Sequence, residues 1–173
     1  MLNINIPLSM YGERGEWTVQ RVTNCIVIEN DHALLLKKPR RGWYAIPGGK
    51  MEQGESIKEA VVREYREETE LHLHDPELAG AFTFSIYKDD SVVQEWMMFT
   101  FVCLQYEGKL TAFCKEGELE WIPLHEIKNL PMAAGDRKIF AHVLSSKAML
   151  YGTFSYTEDY ELIDSYLDPM NPS

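Results

Sequence analysis

No apolar run in this 173-residue sequence is long enough to cross a bilayer, so no membrane-spanning helix is expected. The opening residues, MLNINIPLSM, lack a basic stretch followed by an apolar core, so no secretory leader is expected either. Cysteine is scarce. The three present, Cys25, Cys103 and Cys114, are odd in number and have no CxxC spacing. They read as reduced thiols of a cytoplasmic protein, and the scattered histidines do not complete a zinc set with them. Positive charge is in deficit, with 17 Lys and Arg against 27 Asp and Glu and a net charge of −10. That balance disfavours stable binding to nucleic acid, while leaving room for a polyanionic small molecule met by a metal or a local basic patch. Repeats, low-complexity tracts and linkers are absent. A hydrophobic fraction of 45% and an aromatic fraction of 12% exclude a disordered chain. Residues 1–173 suit a single domain with a core over about 17–157 and extensions at 1–16 and 158–173.

The pattern along the chain is α/β. Residues 17–30, WTVQRVTNCIVIEN, are rich in β-branched side chains and read as a strand, and ALLLKK (33–38) reads as its return. The basic loop PRRG precedes a short strand WYAI and a turn PGGK. From Ser56 to about Glu70 the apolar period is helical. Residues 79–88 and 92–106 form a hairpin across DDS, and LEWIPL (119–124) is a further strand. HEIKNLPM and AGDRKIFAHVLSS read as a short and a longer helix, and LYGTFSYTED (150–159) as a late strand. YGERGE reads as a turn and LDPMNPS as a frayed end.

The helical stretch carries REYREETEL, with Glu64, Glu67, Glu68 and Glu70 in seven positions. At about 100° per residue, Ile57, Ala60 and Val61 form a core-facing stripe. Glu64 and Glu68 continue that stripe and Glu67 lies at its edge, while Glu59, Arg66 and Glu70 fall opposite. The spacing of Glu59–Arg63 and Arg66–Glu70 suits solvated ion pairs. A solvated acidic face explains the outer glutamates but not the inner ones, which repel one another and resist desolvation. A hard divalent cation such as Mg²⁺ or Mn²⁺ removes that difficulty. Ahead of the helix, Gly48 and Gly49 permit a close backbone approach to a ligand, although a lone Gly-Gly also serves an ordinary tight turn. Ser56 and Glu59 have capping-box spacing.

Residues 49–71, GKMEQGESIKEAVVREYREETEL, resemble the signature box of the Nudix family. Gly49, Glu55, Arg63, Glu64, Glu67, Glu68 and Leu71 match in register. The wider likeness runs over about residues 18–144 and is similar to the MutT-like, 8-oxo-dGTP diphosphatase-type branch. Two positions depart from the pattern: Tyr65 replaces an aliphatic residue, and Glu70 replaces the glycine that normally ends the helix in a left-handed conformation. The resemblance implies an α/β/α sandwich with a mixed sheet and the catalytic helix after a strand and loop. It implies hydrolysis of a nucleoside diphosphate linked to another group, by water attacking phosphorus with Mg²⁺ or Mn²⁺. By position, Glu64, Glu67, Glu68 and the carbonyl of Gly48 become metal ligands, and Glu55 and Arg63 pair to orient the helix. A further glutamate on a later loop acts in several relatives. Glu116 in FCKEGELEW is the candidate and Glu118 and Glu120 its rivals, and a solvated loop acid explains each of them equally well.

Lys37, Lys38, Arg40 and Arg41 before the turn, and Lys50 after it, are candidates to meet a polyphosphate, or form a solvated basic loop. LPMAAGDRKIF is similar to a base-recognition region of oxidised-purine hydrolases, which places Asp136 as a base-reading acid. The favoured role for that residue is nevertheless an N-cap of the helix starting near Arg137. Phe82, Phe84 and Trp96 are candidate walls of a base pocket, but at strand spacing they fit a core better. The resemblance points to 8-oxo-dGTP as substrate, then ADP-ribose, nucleotide sugars and other diphosphates. A homodimer and a non-catalytic, nucleotide-binding regulator stand as further options.

Overall fold

The computed structural model describes residues 18–169. In chain order its strands are β1 (Gln20–Glu29), β2 (His32–Lys37), β3 (Tyr44–Ala45), β4 (Gly48–Lys50), β5 (His72–Leu73), β6 (Glu77–Lys88), β7 (Ser91–Cys103), β8 (Tyr106–Glu107), β9 (Glu118–Pro123), β10 (Leu150–Thr157) and β11 (Leu162–Asp168). Its helices are α1 (Ile57–Thr69) and α2 (Ala134–Ser145), with a 3-10 turn at Ile127–Asn129. The main sheet runs β11-β10-β6-β7-β1-β2-β3, with β4 also on β1 and β9 also on β2. It is mixed: β1 lies parallel to β7 and β6 to β10, and the other pairs are antiparallel. Asn30 and Asp31 both take positive φ, 47° and 59°, which matches the twist a tight β1–β2 hairpin demands. Strands β5 and β8 form a separate pair.

Alternation along β1 decides which helix covers which face. Cys25 and Val27 pack with Val61 and Tyr65 of α1. Val22 packs in a cluster with Ile139 of α2, and Ile26 in one with Phe140. Successive residues of one strand thus bury against different helices, which makes the α/β/α sandwich. No helix among the described residues is long and apolar enough to cross a membrane.

Two expectations need revision and a third is not reached by the structure. PGGK is not a bare turn: Gly48–Lys50 pairs antiparallel with β1, with Gly48 opposite Asn24 and Gly49 opposite Thr23. The chain beyond residue 157 is not merely an extension, because β11 pairs with β10 and Lys138 of α2 reaches Ser165 at 2.6 Å. The turn read in YGERGE lies outside the described residues.

Helix α1 starts where the capping box placed it. The Ser56 hydroxyl accepts from the Glu59 N–H, and the Glu59 carboxylate accepts from the Ser56 N–H. It ends at Thr69, with Glu70 left-handed at φ 64° and ψ 6°. A side chain there costs about 1 kcal/mol relative to glycine. Glu70→Gly is therefore expected to raise unfolding free energy by about 1 kcal/mol in urea titration. A neutral or destabilising result would show that the Glu70 side chain offsets its own backbone strain.

Candidate active site

Two glycines set the floor of the site. A β-carbon on Gly48, whose φ is 151°, would overlap the Thr23 carbonyl and the Asn24 backbone, so only glycine lets β4 lie this close to β1. A β-carbon on Gly49 would overlap the Glu64 carboxylate, so its absence admits that side chain to the turn. The Gly48 N–H donates to Glu68 Oε2 at 2.8 Å. Both inner glutamates of α1 thus lie against the glycine turn.

The helix phase differs slightly from the sequence reading. Its buried residues are Ala60, Val61, Tyr65 and Thr69. The aromatic ring of Tyr65, fully buried, takes the centre of the stripe, which turns Glu64 and Glu68 to the flank that meets β4. Glu67 is 61% exposed. Burial raises the Glu64 carboxyl, opposed by Arg63 and reinforced by Glu67 and Glu55. Burial pushes Glu68 further, up to about 7, against the Gly48 amide and the Lys38 charge, with Glu116 and Glu64 adding to the rise.

Arg63 ties the helix to the loop before it. Its Nε and Nη2 donate to the two Glu55 oxygens at 2.5 and 2.8 Å, and Nη2 also to the Lys50 carbonyl at 3.1 Å. Nη1 donates to Glu64 at 2.9 Å and Glu67 at 3.3 Å. The Arg63 hydrogen bonds, then the Glu52 N–H, hold the Glu55 carboxyl down at about 2. The expected Glu59–Arg63 ion pair is not formed, because Glu55 takes the guanidinium and Glu59 turns back to cap Ser56. Arg66 and Glu70 meet through backbone, N–H to carbonyl at 2.9 Å.

Of the three later acids, the fold carries Glu116 to this place. It meets Lys38 Nζ at 2.7 Å, and both charges act on Glu68. Glu120 accepts from the Tyr44 hydroxyl at 2.9 Å and lies 3.7 Å from Lys37. Glu118 is exposed, opposite Lys37 in the β2–β9 register. Within the basic loop, Arg41 lies over the rings of Trp43 and Tyr160 at 5.4 and 4.5 Å, and Arg40 is exposed. Lys50 is half-buried on β4 beside the glycines. A groove of about 620 Å³ runs along the outer side of α1 past Arg63 and Glu67, with Lys58, Arg66 and His72 on its walls.

The strand aromatics take the core role that their spacing favours. Phe82, Phe84 and Trp96 are core residues, with the Phe84 ring stacked between Trp96 at 5.2 Å and Phe154 at 4.9 Å. Asp136 is buried and is not an N-cap. Helix α2 begins earlier, at Ala134 after Ala133, so Asp136 stands inside its first turn. The Gly135 N–H donates to the Tyr156 hydroxyl at 2.8 Å, and that phenol's pKa is raised by burial and by the Asp136 charge.

The donor set suits a hard divalent cation: carboxylates of Glu64, Glu67 and Glu68 beside a glycine turn. Among the described residues, no three acidic, histidine or cysteine groups converge as they stand. Arg63 engages Glu64 and Glu67, and the Gly48 amide engages Glu68. The Lys38–Glu116 contact escaped sequence reading, since 78 positions separate the pair.

Comparison with known proteins identifies the family. The NUDIX domain description matches residues 18–143. An uncharacterized Nudix hydrolase, YvcI, of Bacillus subtilis (strain 168) is 50% identical over 153 residues, covering 88% of this chain and 97% of that protein. A crystal structure of a MutT mutator protein from Bacillus halodurans superposes with a TM-score of 0.87 at 54% identity, covering 88% of this chain and all of that one. An ADP-ribose pyrophosphatase of Methanocaldococcus jannaschii is 34% identical over 116 residues, 65% of each protein.

Proposed function

Because the chain belongs to the Nudix hydrolase family, we propose that it cleaves a nucleoside diphosphate linked to a further group, with Mg²⁺ or Mn²⁺ held by Glu64, Glu67, Glu68 and the Gly48 carbonyl. The family uses divalent metal ions. The observation that carries the reading is the pair of part-buried carboxylates, Glu64 and Glu68, pressed on the Gly48–Gly49 turn with raised pKa values. Burying two acids together has no structural gain, and a cation between them supplies one. Such an ion offsets charge on the phosphoryl oxygens and makes water a better nucleophile. The chain's own part is to place the acids. Arg63 and Glu55 fix the helix against the turn, while Lys38 and Lys50 offer charge to the phosphates. Glu116 is the acid best placed to accept the proton of attacking water.

The leading substrate is a purine nucleoside triphosphate such as 8-oxo-dGTP, cleaved to the monophosphate and pyrophosphate. The MutT protein of Bacillus halodurans at 54% identity supports it. One observation favours ADP-ribose as a second reading. The Methanocaldococcus jannaschii relative, 34% identical over 116 residues, is an ADP-ribose pyrophosphatase. The test is kcat/KM with Mg²⁺ on 8-oxo-dGTP, dGTP, ATP, ADP-ribose, a nucleotide sugar and a prenyl diphosphate. Preference for the oxidised purine is expected. Preference for ADP-ribose would keep the site and move the base elsewhere, and no turnover with either metal would leave a nucleotide-binding regulator.

A further inference from the structure

Lys38 directly follows β2 and Glu116 sits on the turn before β9, and they meet at 2.7 Å. Lys38 is the deeper partner: 9% of its side chain reaches solvent, against 49% for Glu116. A buried ammonium requires an anion, because removing one partner of such a pair leaves an uncompensated charge. The contact is built into the backbone. Gly117 has φ 154°, and a β-carbon there would overlap the Lys37 carbonyl, so glycine alone lets this turn close on the end of β2. Cys114 and Gly117 bridge across the turn, and Glu118 then enters the ladder opposite Lys37. Register therefore delivers Glu116 to Lys38, whose ammonium is thereby occupied in the free protein.

Building on the reading that Glu116 takes part in hydrolysis, we propose that Lys38 is a phosphate-released latch on Glu116. In the free protein it holds that carboxylate on itself. A substrate phosphate oxygen takes over the ammonium, and Glu116 is then free to join Glu68 at the cation. The exchange is of one anion for another, so the buried ammonium is never left alone. Phosphate suits the role because a lysine ammonium is a compact point charge that binds such oxygens without a fixed fork geometry. Substrate arrival and completion of the metal set become one event. Lys38 is a positioning residue in this scheme, acting on the cation through Glu116.

Mn²⁺ binding to the full chain, read by electron paramagnetic resonance without nucleotide, tests the latch. Lys38→Met removes the ammonium and keeps much of the stem, so Glu116 is released at once. Mn²⁺ is expected to bind about tenfold tighter than to the wild type. Lys38→Arg keeps the charge and should bind Mn²⁺ as the wild type does. The gain should vanish in Lys38→Met combined with Glu116→Gln. A gain that persists in the double variant would reflect only the loss of a nearby positive charge and would overturn the latch, as would no gain in Lys38→Met. Turnover separates this from the enzyme reading. A chain that hydrolyses substrate yet shows no gain has a working site without the latch. A gain without turnover on any compound keeps the latch and removes the hydrolysis.

Discussion

Glu67→Gln and Glu68→Gln are each expected to lower kcat by about a hundredfold or more at saturating Mg²⁺, with the fold intact. An amide keeps the shape of each side chain and removes the negative charge that a divalent ion needs. The two variants should differ in how they fail. Glu67 is 61% exposed and held at 3.3 Å by Arg63, so its loss leaves the helix frame unchanged. Glu68 lies at the centre, on the Gly48 amide and within the field of Lys38, Glu116 and Glu64, so its loss should cost more. Arg63→Gln supplies the contrast. It removes the clamp on Glu55 and the Lys50 carbonyl, so it should lower stability as well as turnover. Unchanged turnover in both glutamate variants would sink the metal assignment, whatever the substrate.

How much of this site was legible depended on whether its determinants were local. The capping box at Ser56 and Glu59 spans one helical turn, and the helix begins where it says. The phase was less secure, because a tyrosine at position 65 is ambiguous by polarity. Once its ring is seen to fill the centre, the glutamates move to the flank. Strand β4 carried no pattern, since two of its three residues are glycines, and its pairing with β1 shows only in register. Strand β11 lies at the sheet edge, with most of its residues exposed or half-exposed, so it lacks the buried alternation that marks β1. From sequence, Asp136 suits a cap because aspartate favours that position. The fold instead satisfies the Gly135 N–H, at the start of α2, with the phenol of Tyr156, which is distant in sequence. The Lys38–Glu116 pair is similarly non-local. Its one sequence trace is Gly117, and nothing short of the β2–β9 register says what that glycine approaches.

The second large effect is a stability gain from the same substitution that destroys turnover. In metal-free protein, Glu68 has its carboxyl raised from the ordinary 4.5 to about 7, chiefly by burial. An acid whose pKa is higher folded than unfolded binds its proton more tightly in the folded state. Its contribution to stability is therefore full below pH 4.5, declines as pH rises through the window to about 7, and is lost above it. Glu64, raised in the same direction, adds to the trend. Glu55, held down at about 2, does not confuse it, because its own contribution is lost only as pH falls below 4.5. Glu68→Gln cannot ionise, yet its amide oxygen can still accept from the Gly48 N–H. In chelator, the variant should match the wild type near the acid end and exceed it at about pH 8, by up to roughly 3 kcal/mol. Urea titrations of both proteins across that range give the difference directly. Saturating Mn²⁺ should reverse the order, since only the wild type gains the full binding energy of the ion. A constant difference from pH 4.5 to 7 would show that Glu68 ionises freely in the folded chain, and that its burial on the glycine turn carries no cost for a cation to offset.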